Sequence, residues 1–182
     1  MIRKKKINQM VKKIKLTQGK EALVDDDDYE MLMEHKWYSN KASKKHYAIT
    51  SLPTQLDGER KRLKMHRAIM KPPQGLEVDH INGDTLDNRK ENLRVCTHQQ
   101  NQANRSLGKD NTSGYKGICY KKKNKDMINE HAKPWEVRIN FNNKKVYVGA
   151  YKTAEAAARA YDRKTIELNG EFANLNFPEE HK

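Results

Sequence analysis

The chain has 182 residues, with 37 Lys or Arg against 24 Asp or Glu and a formal net charge of +13. That length suits one medium domain or two small ones with modest cores, and the clustered positive charge points to a polyanion such as nucleic acid. No apolar run approaches the roughly 18 residues that span a bilayer, no apolar signal core follows Met1 to Lys6, and two isolated cysteines, Cys96 and Cys119, make neither a disulfide framework nor a zinc site; the expectation is an intracellular, cytoplasmic protein with no membrane partner and structural thiols.

Residues 1–20 hold eight Lys or Arg and no acid, a basic arm running into a strand at Ile14-Lys15-Leu16-Thr17. Gln18-Gly19-Lys20 supplies a turn and Glu21 to Val24 a second strand. Asp25 is placed to cap a short helix whose apolar face is Tyr29, Leu32 and Met33. The Asp25 to Asp28 run is read as capping and helix-dipole stabilisation rather than as a metal site. Tyr47 to Thr50 and Arg62 to Met65 read as strands, with Asp57-Gly58 in the turn between them. His66 to Met70 is a short helix ended by Pro72-Pro73. Glu77 to His80 begins as a strand and breaks at Asn82-Gly83. A polar loop from Leu86 to Asn92 leads to a strand, Leu93 to Val95, and a helix opened by Thr97, which fits a capping box with Gln100. Residues 106–114 are polar and turn-rich, so the linker is placed there. Strands follow around Tyr115 to Ile118, Trp135 to Phe141 and Lys145 to Val148. A last helix runs from about Ala154 to Leu168, with Thr153 as N-cap, Gly170 as stop and an alanine-rich face that suits close packing on a small sheet.

Strand, loop, strand and helix can bring Asp79, His80, Asn92 and Asn101 together. Phosphodiester hydrolysis needs a base for water and a cation to offset charge on the phosphoryl and leaving oxygens. A neutral imidazole near pH 7 suits the base, and His80 takes that role. Asp79 and Asn101 offer hard oxygen ligands that favour Mg²⁺ or Mn²⁺ over zinc. Asn92, in the loop, is cast as a brace that bonds backbone and fixes His80. His66, Arg67, Arg89 and Arg94 are candidate phosphate contacts, with local capping or a solvated face as the alternative for each.

The run Met65-His66-Arg67, Val78-Asp79-His80-Ile81-Asn82-Gly83, Leu86-Asp87-Asn88-Arg89, Asn92-Leu93-Arg94 and Thr97 to Asn101 resembles the HNH endonuclease family, closest to phage and intron-associated homing enzymes. Leu16 to Lys20 and Val24-Asp25 resemble their N-terminal regions. The resemblance implies a ββα-metal motif with His80 as general base, Asn92 as structural brace and Asn101 as a metal ligand beside Asp79. The last letter of the motif is often His; Asn101 stands there instead, which weakens tolerance for soft metals. No cysteine pairs flank the motif, so no structural zinc is expected.

Further on, Ser113-Gly114-Tyr115-Lys116-Gly117-Ile118, Trp135-Glu136-Val137-Arg138-Ile139, Val148-Gly149-Ala150-Tyr151, Thr153 to Asp162 and Leu175-Asn176-Phe177-Pro178 resemble the ethylene-response-factor (AP-two) DNA-binding domain of plants. That resemblance implies a three-stranded sheet laid in the major groove and backed by one helix. Independently, Lys116, Lys121, Lys122, Arg138, Lys144 and Lys145 give the strands positive charge, and Tyr120, Trp135 and Tyr147 intersperse it with flat side chains. For Trp135 a core position, and for each lysine a solvated one, are the alternatives. Lysines stand where plant domains often carry arginine, and Lys lacks the fork that reads guanine, so groove binding is expected more than base readout.

The expected architecture is therefore α+β. A small N-terminal antiparallel β region (about 10–65) leads into a ββα-metal motif (about 66–105), both within a nuclease domain, 1–105. After the linker, 106–114, comes a three-stranded antiparallel sheet packed on one helix, 115–178. The expected function is a homing-type, divalent-metal-dependent endonuclease that nicks or cuts double-stranded DNA. One site per chain favours a monomer over a homodimer. The rival readings are a non-catalytic sequence-specific DNA-binding regulator with a degenerate HNH region, against which the full Asp79, His80, Asn92, Asn101 set argues, and an RNA-binding protein, for which the aromatic strand pattern is missing.

Overall fold

The computed structural model describes residues 10–53, 61–105, 107–108, 110–121 and 133–181. The Asp57-Gly58 turn, Lys122 and most of the basic arm lie outside the described residues. Two compact units divide the chain after Thr97, ahead of the 106–114 segment expected as linker. Every sheet among the described residues is small and antiparallel, in keeping with the expected α+β class.

In the first unit, β1 (Val11–Lys15) pairs with β2 (Glu21–Asp25). Gln18 and Gly19 both take positive φ between them, the two-residue turn whose twist suits a hairpin. The helix α1 (Asp26–Met33) follows, with Asp26, Asp27 and Asp28 in its first turn where the dipole favours them. Asp25 does not cap it by its side chain; that carboxylate accepts a 2.7 Å hydrogen bond from the Lys90 backbone N–H instead. A strand that the sequence does not predict, β3 (Tyr38–Ala42), pairs with β4 (Lys45–Ser51); β5 (Arg62–Lys64) completes this sheet. The buried position of β3 is a polar residue, Ser39, and Ala42 is exposed, so no apolar–polar alternation marks the strand. Next comes α2 (Met65–Met70), closed by Lys71 in the left-handed region just before Pro72-Pro73, which cannot continue a helix. Then β6 (Glu77–His80) pairs with β7 (Leu93–Cys96). Ile14, Val24, Leu32, Trp37, Ala48, Met65, Ile69, Val78 and Leu93 share one core, so both hairpins, the middle sheet and both helices are bound to a common apolar centre.

The second unit opens with α3 (His98–Ala103). Its sheet has the order β10-β9-β8, from β8 (Ile118–Tyr120), β9 (Trp135–Phe141) and β10 (Lys144–Tyr151). Asn142 and Asn143, both at positive φ, form the two-residue turn between β9 and β10, a position Asn tolerates. The helix α4 (Ala154–Asn169) lays Ala157, Ala158 and Tyr161 on Ile118, Val137 and Ile139. Thr153 caps it, its Oγ1 accepting from the Ala156 N–H at 3.2 Å, and Gly170 at positive φ closes it, as the sequence predicts. Alanines on the buried face allow helix and sheet to approach closely. Gly117, at positive φ, lies so near the Tyr161 ring that a Cβ there would collide with it.

Candidate active site

The β6–β7 hairpin positions the central residues. Its register sets Asp79 opposite Arg94 and His80 opposite Leu93. Adjacent strand residues face opposite ways, and their environments differ accordingly. Arg94 donates from Nε and Nη2 to Asp79 Oδ2, at 3.0 and 2.8 Å. The His80 ring instead lies edge-on to His66, with centroids 4.9 Å apart, and near Tyr47 at 6.5 Å.

The loop between the strands is built from its own amides and carboxylates. Asn92 donates from Nδ2 to the Asp87 carbonyl at 2.8 Å and accepts at Oδ1 from the Asn82 N–H at 3.0 Å. Its carbonyl accepts from the Ile81 N–H. Asn92 thus ties both ends of the loop together. A side-chain hydrogen bond to His80 comes from a different residue of the motif, Asn88, which is buried and carries no role from the sequence. Asn88 Nδ2 donates to the Leu86 carbonyl at 3.1 Å, so its Oδ1 is the atom that meets His80 Nε2, at 3.3 Å. An amide oxygen only accepts, which puts the proton on Nε2 and leaves the lone pair on Nδ1.

Strand β2 holds this loop from outside. The Leu23 N–H donates to the Leu86 carbonyl at 2.9 Å, and the Asn88 N–H to the Leu23 carbonyl at 2.8 Å. Asp25 takes the Lys90 N–H, and Asp28 takes the Lys90 ammonium at 2.7 Å. The acidic run therefore anchors the loop as well as feeding α1, a role no local spacing reveals.

Burial is the largest influence on His80 and pushes its imidazole below the ordinary value, with the Asn88 hydrogen bond and Asp79 pulling the other way. The ring is consequently neutral near pH 7. His66 is buried on α2, and desolvation, then His80, push it down to about 3. It is a packing partner of His80 rather than an exposed cation. Arg67 donates to the Leu76 carbonyl at 3.1 Å. Arg89 grips Asp87 from Nε and Nη2, at 2.8 and 2.7 Å, and pairs with Glu91; that grip holds the Asp87 carboxyl below its usual range. Cys96 is buried, with its thiol pushed up to about 11 by burial. Cys119 is exposed, contrary to the structural role expected of it.

Asn101 lies on α3, within the second unit, while Asp79, His80 and Asn92 lie in the first. Inside the second unit the C-terminal end of α3 and the residue after it are held by Lys116 Nζ, which donates to the Ala103 carbonyl at 3.0 Å, and by Asn174 Nδ2, which donates to the Asn104 carbonyl and Oδ1 at 3.1 and 3.0 Å. Lys116 is half-buried and pushed down to about 8 by that burial. Asp162, fully buried, accepts from the backbone N–H groups of Asn176 and Phe177, both at 2.8 Å, and fixes the C-terminal segment.

On the solvent face of the second sheet, register places Arg138 opposite Tyr147, and Lys145 opposite Asn140; Arg138, Lys145 and Tyr147 are exposed there. Glu136 on the same face pairs with Arg138 and Lys121, at 2.8 and 3.1 Å. Tyr120 and Trp135 meet edge-on, 4.9 Å between centroids, and Trp135 packs against the core. Lys144 is exposed beside the turn.

Among the described residues, no three His, Cys, Asp or Glu side chains converge in a way that could hold a metal ion. The Asp79 carboxylate in the first unit is a hard-oxygen donor, of the kind that suits Mg²⁺ or Mn²⁺. No helix among the described residues is long and apolar enough to cross a membrane.

A family model for HNH endonucleases matches residues 71–103, the segment from the end of α2 through the hairpin to α3. An HNH endonuclease of Acanthamoeba polyphaga mimivirus is 30% identical over 164 residues, covering 87% of this chain and 75% of that protein. Protein 3.8 of Escherichia phage T7 is 31% identical over 103 residues, 57% of this chain and 78% of that protein. The chain belongs to the HNH endonuclease family. A shorter likeness, 52% identical over 46 residues, links 24% of the chain to 19% of an ethylene-responsive transcription factor of Arabidopsis thaliana. No solved structure matches the chain.

Proposed function

We propose that this chain is a homing-type DNA endonuclease that hydrolyses phosphodiester bonds of duplex DNA with a divalent metal. The observation that carries this reading is His80 itself: a buried, neutral imidazole beside Asp79, with Nε2 held by Asn88 Oδ1 at 3.3 Å. In that tautomer Nδ1 is the nitrogen that takes the proton from the attacking water. General-base action of this kind contributes about 10²–10⁴-fold. Asn92 keeps the loop closed, so the hairpin end that carries His80 keeps its shape. Asp79 and Asn101 would hold Mg²⁺ or Mn²⁺, which when bound offsets charge on the phosphoryl and leaving oxygens. The second unit is the DNA-holding module. The chain's short likeness to a plant ethylene-responsive transcription factor and the exposed Arg138, Lys145 and Tyr147 on one sheet face support this reading.

The test uses supercoiled DNA that includes the chain's own genomic neighbourhood, with Mg²⁺ or Mn²⁺, with EDTA, and with His80→Ala alongside. The expected result is metal-dependent relaxed or linear product that the variant does not make while it still binds DNA. Full cleavage by His80→Ala would remove His80 from the base role. The ratio of relaxed to linear product separates nicking from double-strand cutting.

A further inference from the structure

Asp79 and Arg94 are direct register partners across the β6–β7 hairpin. The hairpin itself therefore delivers the guanidinium to the carboxylate, with no mobile loop between them. Nε and Nη2 both donate to the same oxygen, Oδ2. The two side chains are only 15% and 8% exposed, Arg94 and Asp79 in that order. A carboxylate so shielded from water requires a counter-charge, and Arg94 supplies it. The pair is electrically neutral. Affinity for a hard divalent cation grows with the negative charge its ligands bring. Asp79 paired with Arg94 brings none, and Asn101 is an uncharged amide.

We propose that Arg94 is the resident counter-cation of the metal-ligating carboxylate, so that the protein alone binds the divalent ion weakly and recruits it together with a DNA phosphate. The phosphate adds the negative charge that the protein's own ligands lack. It also offers the guanidinium a second anion of the geometry a planar fork prefers. This inference rests on Asp79 being a metal ligand. Its consequence is ordered assembly: the divalent ion joins the Asp79–Arg94 pair together with the DNA phosphate rather than before it.

Mn²⁺ binding to the full chain, followed by the loss of the free-ion electron paramagnetic resonance signal, tests this without turnover. Arg94→Gln removes the charge and keeps a hydrogen-bonding side chain; it is expected to tighten Mn²⁺ binding about tenfold or more. Arg94→Lys keeps the charge and is expected to bind as weakly as the parent. A duplex added to the His80→Ala protein, which leaves the DNA uncut, is expected to tighten Mn²⁺ by a similar factor. This last arm keeps Arg94 and does not depend on the folding of an Arg94 variant. Equal or weaker binding by a folded Arg94→Gln, or no effect of the duplex, overturns the proposal. Asp79→Asn is measured in both backgrounds. Loss of Mn²⁺ binding there keeps Asp79 as the ligand even if the Arg94 arms fail, whereas unaltered binding removes the ligand reading on which the proposal stands.

Discussion

His66 gives the first unit an acid-sensitive point whose size follows from its surroundings. Its ring is buried against His80 and Tyr47, and desolvation first, His80 second, push it from 6.5 down to about 3. In the unfolded chain the same imidazole titrates near its ordinary value. Between the two, the unfolded state binds a proton that the folded state does not, so stability is full above the unfolded value and falls as the pH drops below it. At about 1.4 kcal/mol per unit, the ~1.5 units from the unfolded value to about pH 5 amount to about 2 kcal/mol from this one side chain. The folded ring is still neutral at that pH, so the unfolded titration alone sets the figure. The perturbation is His66→Gln, which carries no charge at either pH. Urea unfolding is followed by Trp37 fluorescence in a Trp135→Phe background, at about pH 7.5 and about pH 5. The parent is expected to lose about 2 kcal/mol more than the variant over that interval. His80, also pushed down by burial, is present in both proteins, so the comparison reads what His66 adds, including its coupling to the adjoining His80 ring. Equal losses would show that the folded His66 accepts a proton at little cost, and the buried-neutral reading of this ring would be wrong.

Three further outcomes follow from single contacts. Asn88→Ala removes the acceptor that fixes His80 Nε2 and is expected to slow DNA cleavage on the order of 10–100-fold, the range for losing an orienting partner of a functional histidine, with gel-shift affinity unchanged; a normal rate would mean that packing alone orients the ring. Gly117→Ala drives a Cβ into the Tyr161 ring at a positive-φ position and is expected to cost the second unit more than about 1 kcal/mol, read from Trp135 in a Trp37→Phe background; a variant as stable as the parent would refute the close helix–sheet approach. Lys145→Ala removes a cation from the exposed sheet face that carries Arg138 and Tyr147 and is expected to lower the slope of log affinity against log salt by about 1; an unchanged slope would place Lys145 off the phosphate backbone.

Much of the fold is legible because its local signals agree with its packing. Gln18-Gly19 takes the turn its composition suggests. Pro72-Pro73 follows the close of α2. Thr153 and Gly170 bound α4, and the alanine stripe meets the sheet. The hairpin that carries Asp79 and His80 is equally plain, since a strand, an Asn-Gly break and a second strand succeed one another within 20 residues, from Glu77 to Cys96. What the sequence hides is β3, whose buried position is the polar Ser39, and the packing of α3 with the residues that follow it. That helix looks like the natural end of the nuclease motif, yet Lys116 and Asn174 bind its C-terminal end within the second unit. Spacing along the chain carries no record of partners 13 and 70 residues away.

The hidden parts of the site share one physical cause. A short, highly charged chain has little apolar surface with which to define loops, so buried carboxylates and amides do that work as acceptors for backbone N–H groups. Asp25 holds Lys90 across 65 residues, Asn92 closes the hairpin loop, and Asp162 fixes the C-terminal segment. Each residue reads as a surface acid or amide when only its neighbours in sequence are considered. The same economy of charge governs the reactive hairpin. Asp79 is neutralised by Arg94, Asp87 by Arg89, and His80 by its own burial, so those three centres together carry little net charge before DNA arrives. A polyanion meeting this hairpin encounters Asp79 and Asp87 already matched to guanidinium counter-ions, and on the proposed reading the charge it brings itself decides whether a divalent cation joins the site.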